Sequence, residues 1–215
     1  MPGSQTFPLP KGYQHRGHAM PWWLGFVLAS PVRRLFENPR KLLAPHVRAG
    51  DTVLEIGPGM GFHTMALADM VGSTGRVMAV DCQERMVQHL ERRLMSRHLD
   101  DRVESRLCNP NSLSVADLAG RVDVAVALHV IHEAPDPERM IGELARTLRP
   151  GGRLILSEPR GHVGRDLFLW EYGVCREAGL VPSDWPRLAR QMAVVMTKPV
   201  PVVADCGPGD LTPAA

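Results

Sequence analysis

The sequence predicts an α/β protein built on a doubly wound, mostly parallel sheet. From residue 51 onward, short apolar segments alternate with segments that have the period of an amphipathic helix, and this alternation is typical of parallel sheets with helical crossovers. Residues 122–128 are almost wholly apolar, so this strand should be central and covered on both faces. Only a short link at residues 186–190 joins the last two strand segments, and a link of that length requires antiparallel pairing.

Seven strands are predicted from short apolar runs that end at glycine or at a polar residue. Gly57 ends the first strand and Asp81 stops the second, because both residue types are poor strand formers. The predicted strands are residues 52–56, 75–80, 103–107, 122–128, 153–157, 180–185 and 192–197.

Helices are predicted where apolar residues recur three or four positions apart. The clearest case is residues 84–97, and the predicted helix at 137–148 should stop at the Pro-Gly-Gly of residues 150–152. Asn38-Pro39 has the form of an N-cap followed by proline at the first helical position. Further helices are predicted at residues 60–70 and 166–178.

Length and composition exclude several classes of protein function. The chain has 215 residues, 44% of them apolar, which is enough for one domain with a sizeable core. Its net charge of +2 is too low for strong sequence-independent attraction to nucleic acid. The four cysteines form no CxxC pair, which favours reduced thiols in the cytoplasm. No segment of the sequence has the length of a membrane span.

The motif with the clearest chemical meaning is Glu-Ile-Gly-Pro-Gly-Met-Gly at residues 55–61, at a predicted strand-to-helix turn. Glycines let the backbone approach a ligand closely, and doubly wound sheets bind ligands at the carboxyl ends of their strands. The GxGxG spacing differs from the GxGxxG of dinucleotide folds. Glu55 adds a negative charge, which suits a cationic ligand group better than a pyrophosphate. The alternative is a glycine-rich turn that binds nothing.

Asp81 directly follows the second predicted strand, 24 residues after Gly57. A carboxylate in this position can accept hydrogen bonds from both hydroxyls of a ribose. Asp81 also precedes a predicted helix, so the alternative is an ordinary N-cap. With the glycine loop beside it, the ribose interpretation is favoured.

The sequence resembles class I S-adenosylmethionine-dependent methyltransferases. The resemblance rests on the glycine loop, Asp81, residues 122–128 and the Leu-Arg-Pro-Gly-Gly-Arg-Leu segment at 148–154. The resemblance covers about residues 39–197. Within the family, the sequence most resembles the small-molecule group that includes ubiquinone/menaquinone-biosynthesis enzymes. The resemblance implies a seven-stranded Rossmann-like sheet with its last strand antiparallel. It also implies S-adenosyl-L-methionine as the cofactor and methyl transfer by direct displacement.

The resemblance further implies a role for each position of the cofactor site. Glu55 and the glycine loop would hold the methionine end of the cofactor, and Asp81 would take the ribose. After the third strand the family usually carries an acid for the adenine amino group; here Asn109 accepts hydrogen bonds without a charge. The implied cofactor-binding residues are Glu55, Gly57, Pro58, Gly59, Gly61, Asp81, Cys82, Met86, Asn109, Pro110 and Leu128.

Histidines and glutamates cluster after the fourth and fifth predicted strands, whose ends would face the transferred methyl group. The candidate catalytic residues are His129, His132, Glu133 and His162. The favoured hypothesis is that one histidine is a general base or orients the substrate. A metal site that adds Glu158 is a second hypothesis, but no compact motif such as HExxH is present and no metal is predicted. In the third hypothesis these side chains only shape the loops.

Four segments are expected along the chain. They are a flexible arm at residues 1–20, a helical lid at 21–50, a catalytic domain that binds S-adenosylmethionine at 51–198, and a Pro/Gly-rich tail at 199–215. The aromatic residues of the lid, Trp22, Trp23 and Phe26, suit a cover over a flat or anionic substrate. The alternative is that they only dock a helix onto the domain.

The sequence therefore predicts a cytoplasmic methyltransferase with a small-molecule substrate and no membrane partner. Nucleic acid is not expected as a substrate, because the Asn/Asp-Pro-Pro-aromatic motif of base methylation and a Pro-Cys pair are both missing from the sequence. Two alternatives stay open: a methyltransferase that acts on RNA or protein, and a cofactor binder without catalysis. The sequence leaves the oligomeric state open.

Overall fold

The computed structural model describes residues 8–10 and 38–201. The predicted lid aromatics Trp22, Trp23 and Phe26 lie outside the described residues. The same holds for the predicted arm, apart from residues 8–10, and for the tail beyond residue 201. The roles given to these segments stay predictions.

One sheet of seven strands organises the described part of the chain. The strands are β1 (Thr52–Ile56), β2 (Arg76–Asp81), β3 (Val103–Leu107), β4 (Val122–Leu128), β5 (Leu148–Pro159), β6 (Val181–Asp184) and β7 (Gln191–Thr197). Their order across the sheet is β3-β2-β1-β4-β5-β7-β6. Strand β7 pairs antiparallel with both its neighbours, whereas the other pairs are parallel. The predicted doubly wound sheet with an antiparallel last strand is confirmed.

Helices cover the sheet close to the predicted positions. Within the described residues they are α1 (Pro39–Leu43), α2 (Phe62–Val71), α3 (Glu84–Met95), α4 (Pro137–Thr147) and α5 (Arg165–Glu177), with short 3-10 turns at Ala116–Leu118 and Ile131–Glu133. Asn38 caps α1 as predicted, because its side chain accepts a hydrogen bond from the Arg40 amide at 3.0 Å. None of these helices is long and apolar enough to cross a bilayer.

Strand β5 is longer than predicted at both ends. Residues 153–157 are the predicted strand, whereas the pairing runs from Leu148 and passes through the Pro-Gly-Gly at 150–152. A register shift opposite β4 accommodates this segment. Glycine is required at residue 152, since a Cβ there would lie 2.8 Å from the Val122 carbonyl oxygen. The helix α4 ends at Thr147, one residue before its predicted end, and the Pro-Gly-Gly segment forms an irregular start of β5.

Apolar cores cover both faces of the sheet. Val124 and Val126 of β4 face the core shared with α2 and α3, whereas Ala125 and Ala127 face the core shared with α4 and α5. Because β4 lies between β1 and β5, its predicted central position is confirmed.

The strand order reverses between β1 and β4. At such a switch point the loops that follow the two strands diverge to opposite faces and leave a crevice at the carboxyl edge. The loops remain in contact at their base, since a Cβ on Gly57 would lie 2.7 Å from Val130 Cγ2. The fold therefore brings the glycine loop and the histidine cluster to one edge of the sheet.

Candidate active site

The glycine loop after β1 adopts left-handed backbone conformations at three positions. The φ angles are 66° at Gly57, 54° at Gly59 and 83° at Gly61, a region that side chains other than glycine rarely adopt. Gly61 is also tightly packed, since a Cβ there would lie 2.6 Å from Leu90. Gly59 differs, because no heavy atom lies within 4 Å of the position of its Cβ. A ligand can therefore approach the loop backbone most closely at Gly59.

Asp81, the last residue of β2, ties that strand to the glycine loop. Its Oδ2 accepts a hydrogen bond from the Gly59 amide at 3.2 Å, and its Oδ1 accepts one from the Gln83 amide at 2.9 Å. The N-cap of α3 is Gln83, so Asp81 is not the N-cap. Burial raises the pKa of Asp81, and these backbone donors oppose the rise. Each carboxylate oxygen has a further lone pair with which to accept a hydrogen bond from a ligand hydroxyl.

Glu55 is buried at the end of β1, with an exposed fraction of 3%. Its Oε2 accepts a hydrogen bond from the Thr64 hydroxyl of α2 at 2.6 Å. Burial raises the pKa of Glu55 to about 7, the Thr64 hydrogen bond opposes this rise, and the charge of Asp81 adds to it. Glu55 is thus partly protonated at neutral pH, and a cationic group placed beside it would favour its ionised form.

The residues predicted to pack near the adenine, Cys82 and Met86, follow the end of β2, and Cys108, which was not predicted, follows the end of β3. Met86 is buried on α3, while Cys82 and Cys108 are half-buried free thiols. Burial raises the pKa of both thiols, that of Cys108 to about 12. At neutral pH these cysteines therefore offer a neutral, weakly polar surface and not a nucleophile.

Asn109 uses its amide oxygen inside its own turn. The oxygen accepts a hydrogen bond from the Asn111 amide at 2.9 Å, and the Asn109 carbonyl accepts one from the Ser112 amide at 2.9 Å. The side chain is exposed, as is Pro110. The second lone pair of that oxygen could still accept from an adenine amino group, and the side-chain NH2 group could donate to an adenine ring nitrogen.

The shortest polar contact of the predicted catalytic group joins His132 to Glu158. His132 lies in the 3-10 turn after β4 and is largely buried, whereas Glu158 near the end of β5 is fully buried. His132 Nδ1 lies 2.7 Å from Glu158 Oε2, and Glu158 Oε1 accepts hydrogen bonds from the amides of Ile131 and His132 at 3.1 and 3.4 Å. Burial raises the pKa of Glu158, and these donors oppose the rise.

The other predicted catalytic residues lie around this pair at different depths. His162 is exposed, and its ring packs edge-on against the His132 ring at a centroid distance of 4.9 Å. Glu133 Oε1 lies 3.9 Å from His132 Nε2. The His129 ring instead lies 6.3 Å from the ring of His63 on α2. The structure thus brings together three of the four predicted catalytic residues and adds Glu158.

Sequence reasoning missed Glu171 on α5. It is fully buried, and neither carboxyl oxygen has a hydrogen-bond partner among the described residues. Burial first, and the negative charge of Glu158 second, raise the pKa of Glu171 to about 9. One signal was available, since Glu171 follows Leu167 by four positions and Phe168 by three and therefore shares their apolar helix face.

The metal hypothesis finds no support in the described part of the chain. Over residues 8–10 and 38–201, no group of three or more histidine, cysteine, aspartate and glutamate side chains has an arrangement that could hold a metal ion. Two of the side chains proposed as ligands, His132 and Glu158, are bonded to each other.

Comparison with known families gives one match across most of the chain. A family model described as a methyltransferase domain matches residues 48–191. In structure, the chain resembles a SAM-dependent methyltransferase from Aquifex aeolicus, with a TM-score of 0.74 and 25% identity. The match covers 84% of this chain and all of that one.

Two curated relatives give more detail. The chain is 35% identical over 121 residues to an arsenite methyltransferase from Halobacterium salinarum, covering 56% of this chain and 30% of the relative. It is 30% identical over 132 residues to a ubiquinone/menaquinone biosynthesis C-methyltransferase from Hydrogenovibrio crunogenus, covering 61% of this chain and 51% of the relative. The matches span about a third to a half of these relatives.

Gly59→Ala separates the ligand-binding role of the loop from its packing role. The new methyl group would have no heavy atom within 4 Å, so the cost to folding is the left-handed backbone alone, about 1–2 kcal/mol. We expect a small loss of Tm and a large loss of affinity for S-adenosylhomocysteine, measured by circular dichroism and calorimetry. The matched control Gly61→Ala places a methyl group 2.6 Å from Leu90 and should lower the Tm further. Unchanged affinity in Gly59→Ala would contradict the ligand-binding role.

Glu171→Gln tests the buried acid through the pH dependence of stability. The pKa of Glu171 is about 9 in the folded protein, against about 4.3 in an unfolded chain. Between these values the folded state keeps a proton that the unfolded state has lost. Each pH unit in this window therefore lowers the free energy of unfolding by up to about 1.4 kcal/mol, and glutamine removes that loss.

We expect Glu171→Gln to have a higher Tm than the wild type, and the difference should be larger at about pH 8 than at about pH 6. The part of this Tm difference that depends on pH should disappear below about pH 4. Glu177→Gln, an exposed acid on the same helix, is the matched control and should show no such trend. A Tm difference that stays constant over this pH range would mean that Glu171 does not hold a proton.

Proposed function

The chain belongs to the S-adenosylmethionine-dependent methyltransferase family, and on that premise we propose that it transfers a methyl group from S-adenosyl-L-methionine to a small-molecule acceptor. The observation that carries the proposal is the 3.2 Å hydrogen bond from the Gly59 amide to Asp81. This bond joins two loops at the carboxyl edge, beside the switch point of the sheet, and leaves space in front of Gly59.

The charges of the residues at this edge suit the cofactor. When bound, the cofactor supplies a methyl group on a positively charged sulfur. Glu55 would face the amino group of the methionine end, and Asp81 would accept hydrogen bonds from the ribose hydroxyls. Met86, Cys82 and Cys108 would form the wall beside the adenine. Buried carboxylates favour a ligand that carries positive charge.

Three features support a small and uncharged or cationic acceptor. The segment between β5 and α5 is only residues 160–164, which is too short to hold a large binding surface. Two relatives are named for arsenite and for ubiquinone/menaquinone biosynthesis, which are names of small-molecule chemistry. The acids Glu55, Asp81, Glu133 and Glu158 would repel nucleic-acid phosphates. None of these features favours RNA or protein as the acceptor.

A cytoplasmic location is also part of the proposal. In the described part of the chain, Cys82, Cys108 and Cys175 are free thiols. Free thiols are typical of a reducing compartment.

Calorimetry with S-adenosylmethionine and S-adenosylhomocysteine, followed by transfer of a labelled methyl group to a panel of acceptors, tests the proposed function. We expect both ligands to bind with roughly −7 to −9 kcal/mol. Asp81→Ala removes a charged hydrogen-bond acceptor, so affinity should fall about tenfold to a hundredfold. The control Asp101→Ala removes an exposed carboxylate ahead of β3 and should leave affinity unchanged.

Each failure has its own meaning. If neither ligand produces heat, the cofactor assignment is wrong. If both bind and no acceptor in a panel of small molecules, RNA and proteins is labelled, a binder without catalysis is favoured. Labelling of RNA or protein alone would overturn the small-molecule acceptor.

Cofactor binding should release a proton from Glu55. The pKa of about 7 leaves Glu55 partly protonated in the free protein, and a cationic amino group favours the ionised form. Affinity should therefore fall as the pH drops below about 7, by up to about tenfold per pH unit. Calorimetry in two buffers of different ionisation enthalpy counts the released protons.

Two variants isolate this effect. Glu55→Gln should abolish the proton release, and Thr64→Val should move the pH dependence upward, because it removes a donor that lowers the pKa of Glu55. Equal binding heats for the wild type in both buffers would contradict the linkage.

A further inference from the structure

The proposed cofactor site leaves the buried contact between His132 and Glu158 unexplained. A buried carboxylate is costly unless it is paired and hydrogen-bonded. Glu158 meets that requirement with three donors: His132 Nδ1 at 2.7 Å and the amides of Ile131 and His132 at 3.1 and 3.4 Å. One carboxylate therefore holds both the imidazole and the turn that carries it.

This contact sets which nitrogen of His132 is basic. An ionised carboxylate only accepts hydrogen bonds, so Nδ1 carries the hydrogen and Nε2 is the basic nitrogen, an assignment that follows from the hydrogen-bond network. The same carboxylate stabilises the imidazolium that forms when Nε2 takes a proton. The pair thus has the geometry of a general base and its positioning residue.

Glu171 is the second buried acid beneath His132, next to Glu158, and because it keeps its proton it adds no second negative charge there. It lies on the sheet-facing side of α5, and Glu158 lies on the face of β5 that carries Leu156 into the same core. With its raised pKa of about 9, Glu171 is neutral at pH 7. Among the described residues, Glu133 and His162 lie beside the imidazole, and the buried Cys175 thiol on α5 lies near Glu171.

The charge around His132 restricts the acceptor. The carboxylates of Glu133 and Glu158 would repel an acceptor that is itself a carboxylate, a phosphate or a thiolate. A neutral amine attacks an electrophilic methyl group before it loses a proton, so it needs no base in that step. A hydroxyl group is neutral and must lose its proton, which a base near its own pKa range accelerates.

We propose that the acceptor group is a neutral hydroxyl, that His132 Nε2 takes its proton, and that Glu158 is the positioning residue for His132; this rests on the proposed methyl transfer. The O–H bond breaks and its proton goes to Nε2. The oxygen forms a bond to the methyl carbon, and the electron pair of the broken carbon–sulfur bond stays on sulfur. The imidazolium later returns the proton to water.

Histidine side-chain NMR on the full chain, with S-adenosylhomocysteine added, tests the positioning role. His132→Asn assigns the resonances. We expect wild-type His132 to be the Nδ1–H tautomer when neutral. In Glu158→Gln the Nε2–H tautomer should appear, and the pH at which His132 takes up a proton should fall by roughly one unit or more. The matched control Glu133→Gln should keep the Nδ1–H tautomer. An Nε2–H tautomer in the wild type, or an unchanged titration in Glu158→Gln, overturns this role.

Phenol and benzoate, two probes of similar size, test the acceptor class in the same spectra. We expect phenol to shift the His132 resonances and benzoate to leave them unchanged; any other pattern overturns the hydroxyl assignment. Calorimetry with S-adenosylhomocysteine on the same samples separates the two proposals. If the wild-type protein does not bind S-adenosylhomocysteine, the proposed function is wrong. If it binds but His132 is the Nε2–H tautomer, only this inference is wrong.

Discussion

A carboxyl group that leaves water for an apolar interior needs hydrogen-bond donors, a positive partner or a proton. Four such groups lie at the carboxyl edge of this sheet or just behind it, and each meets the requirement differently. Asp81 accepts from two backbone amides, Glu158 from an imidazole and two amides, and Glu55 from one hydroxyl. Glu171 has no hydrogen-bond partner among the described residues, and it keeps its proton instead.

These acids divide the edge into two halves with different chemistry. Glu55 and Asp81 belong to β1 and β2, on the side of the glycine loop that is proposed for the cofactor. His132 lies in the turn after β4 and Glu158 lies near the end of β5, on the side proposed for the acceptor. Hydrogen-bond donors from the protein itself favour the ionised forms of Asp81 and Glu158 and oppose the effect of burial on their pKa. In the proposed mechanism one half attracts a cation, and the other stabilises a proton on an imidazole.

The two halves are joined where the strand order reverses. Gly57 and Val130 follow neighbouring strands and are packed so closely that any side chain at residue 57 would collide. The loops above them are therefore fixed relative to one another by the sheet and by this contact. Such rigidity suits methyl transfer by direct displacement, because the protein contributes mainly the alignment of the reacting groups.

Local patterns in the sequence determined the order of elements, the central position of β4, the antiparallel end of the sheet, the glycine loop and the cap at Asn38. Periodicity, glycine spacing and caps are properties of neighbouring residues, so one sequence displays them. Only the tertiary structure decided what the acids do. The hydrogen bond from Gly59 to Asp81 spans 22 positions and that from His132 to Glu158 spans 26, and parallel crossovers alone bring such residues together. The irregular start of β5 and the protonated Glu171 likewise depend on neighbours from distant strands and on burial, which no local pattern measures.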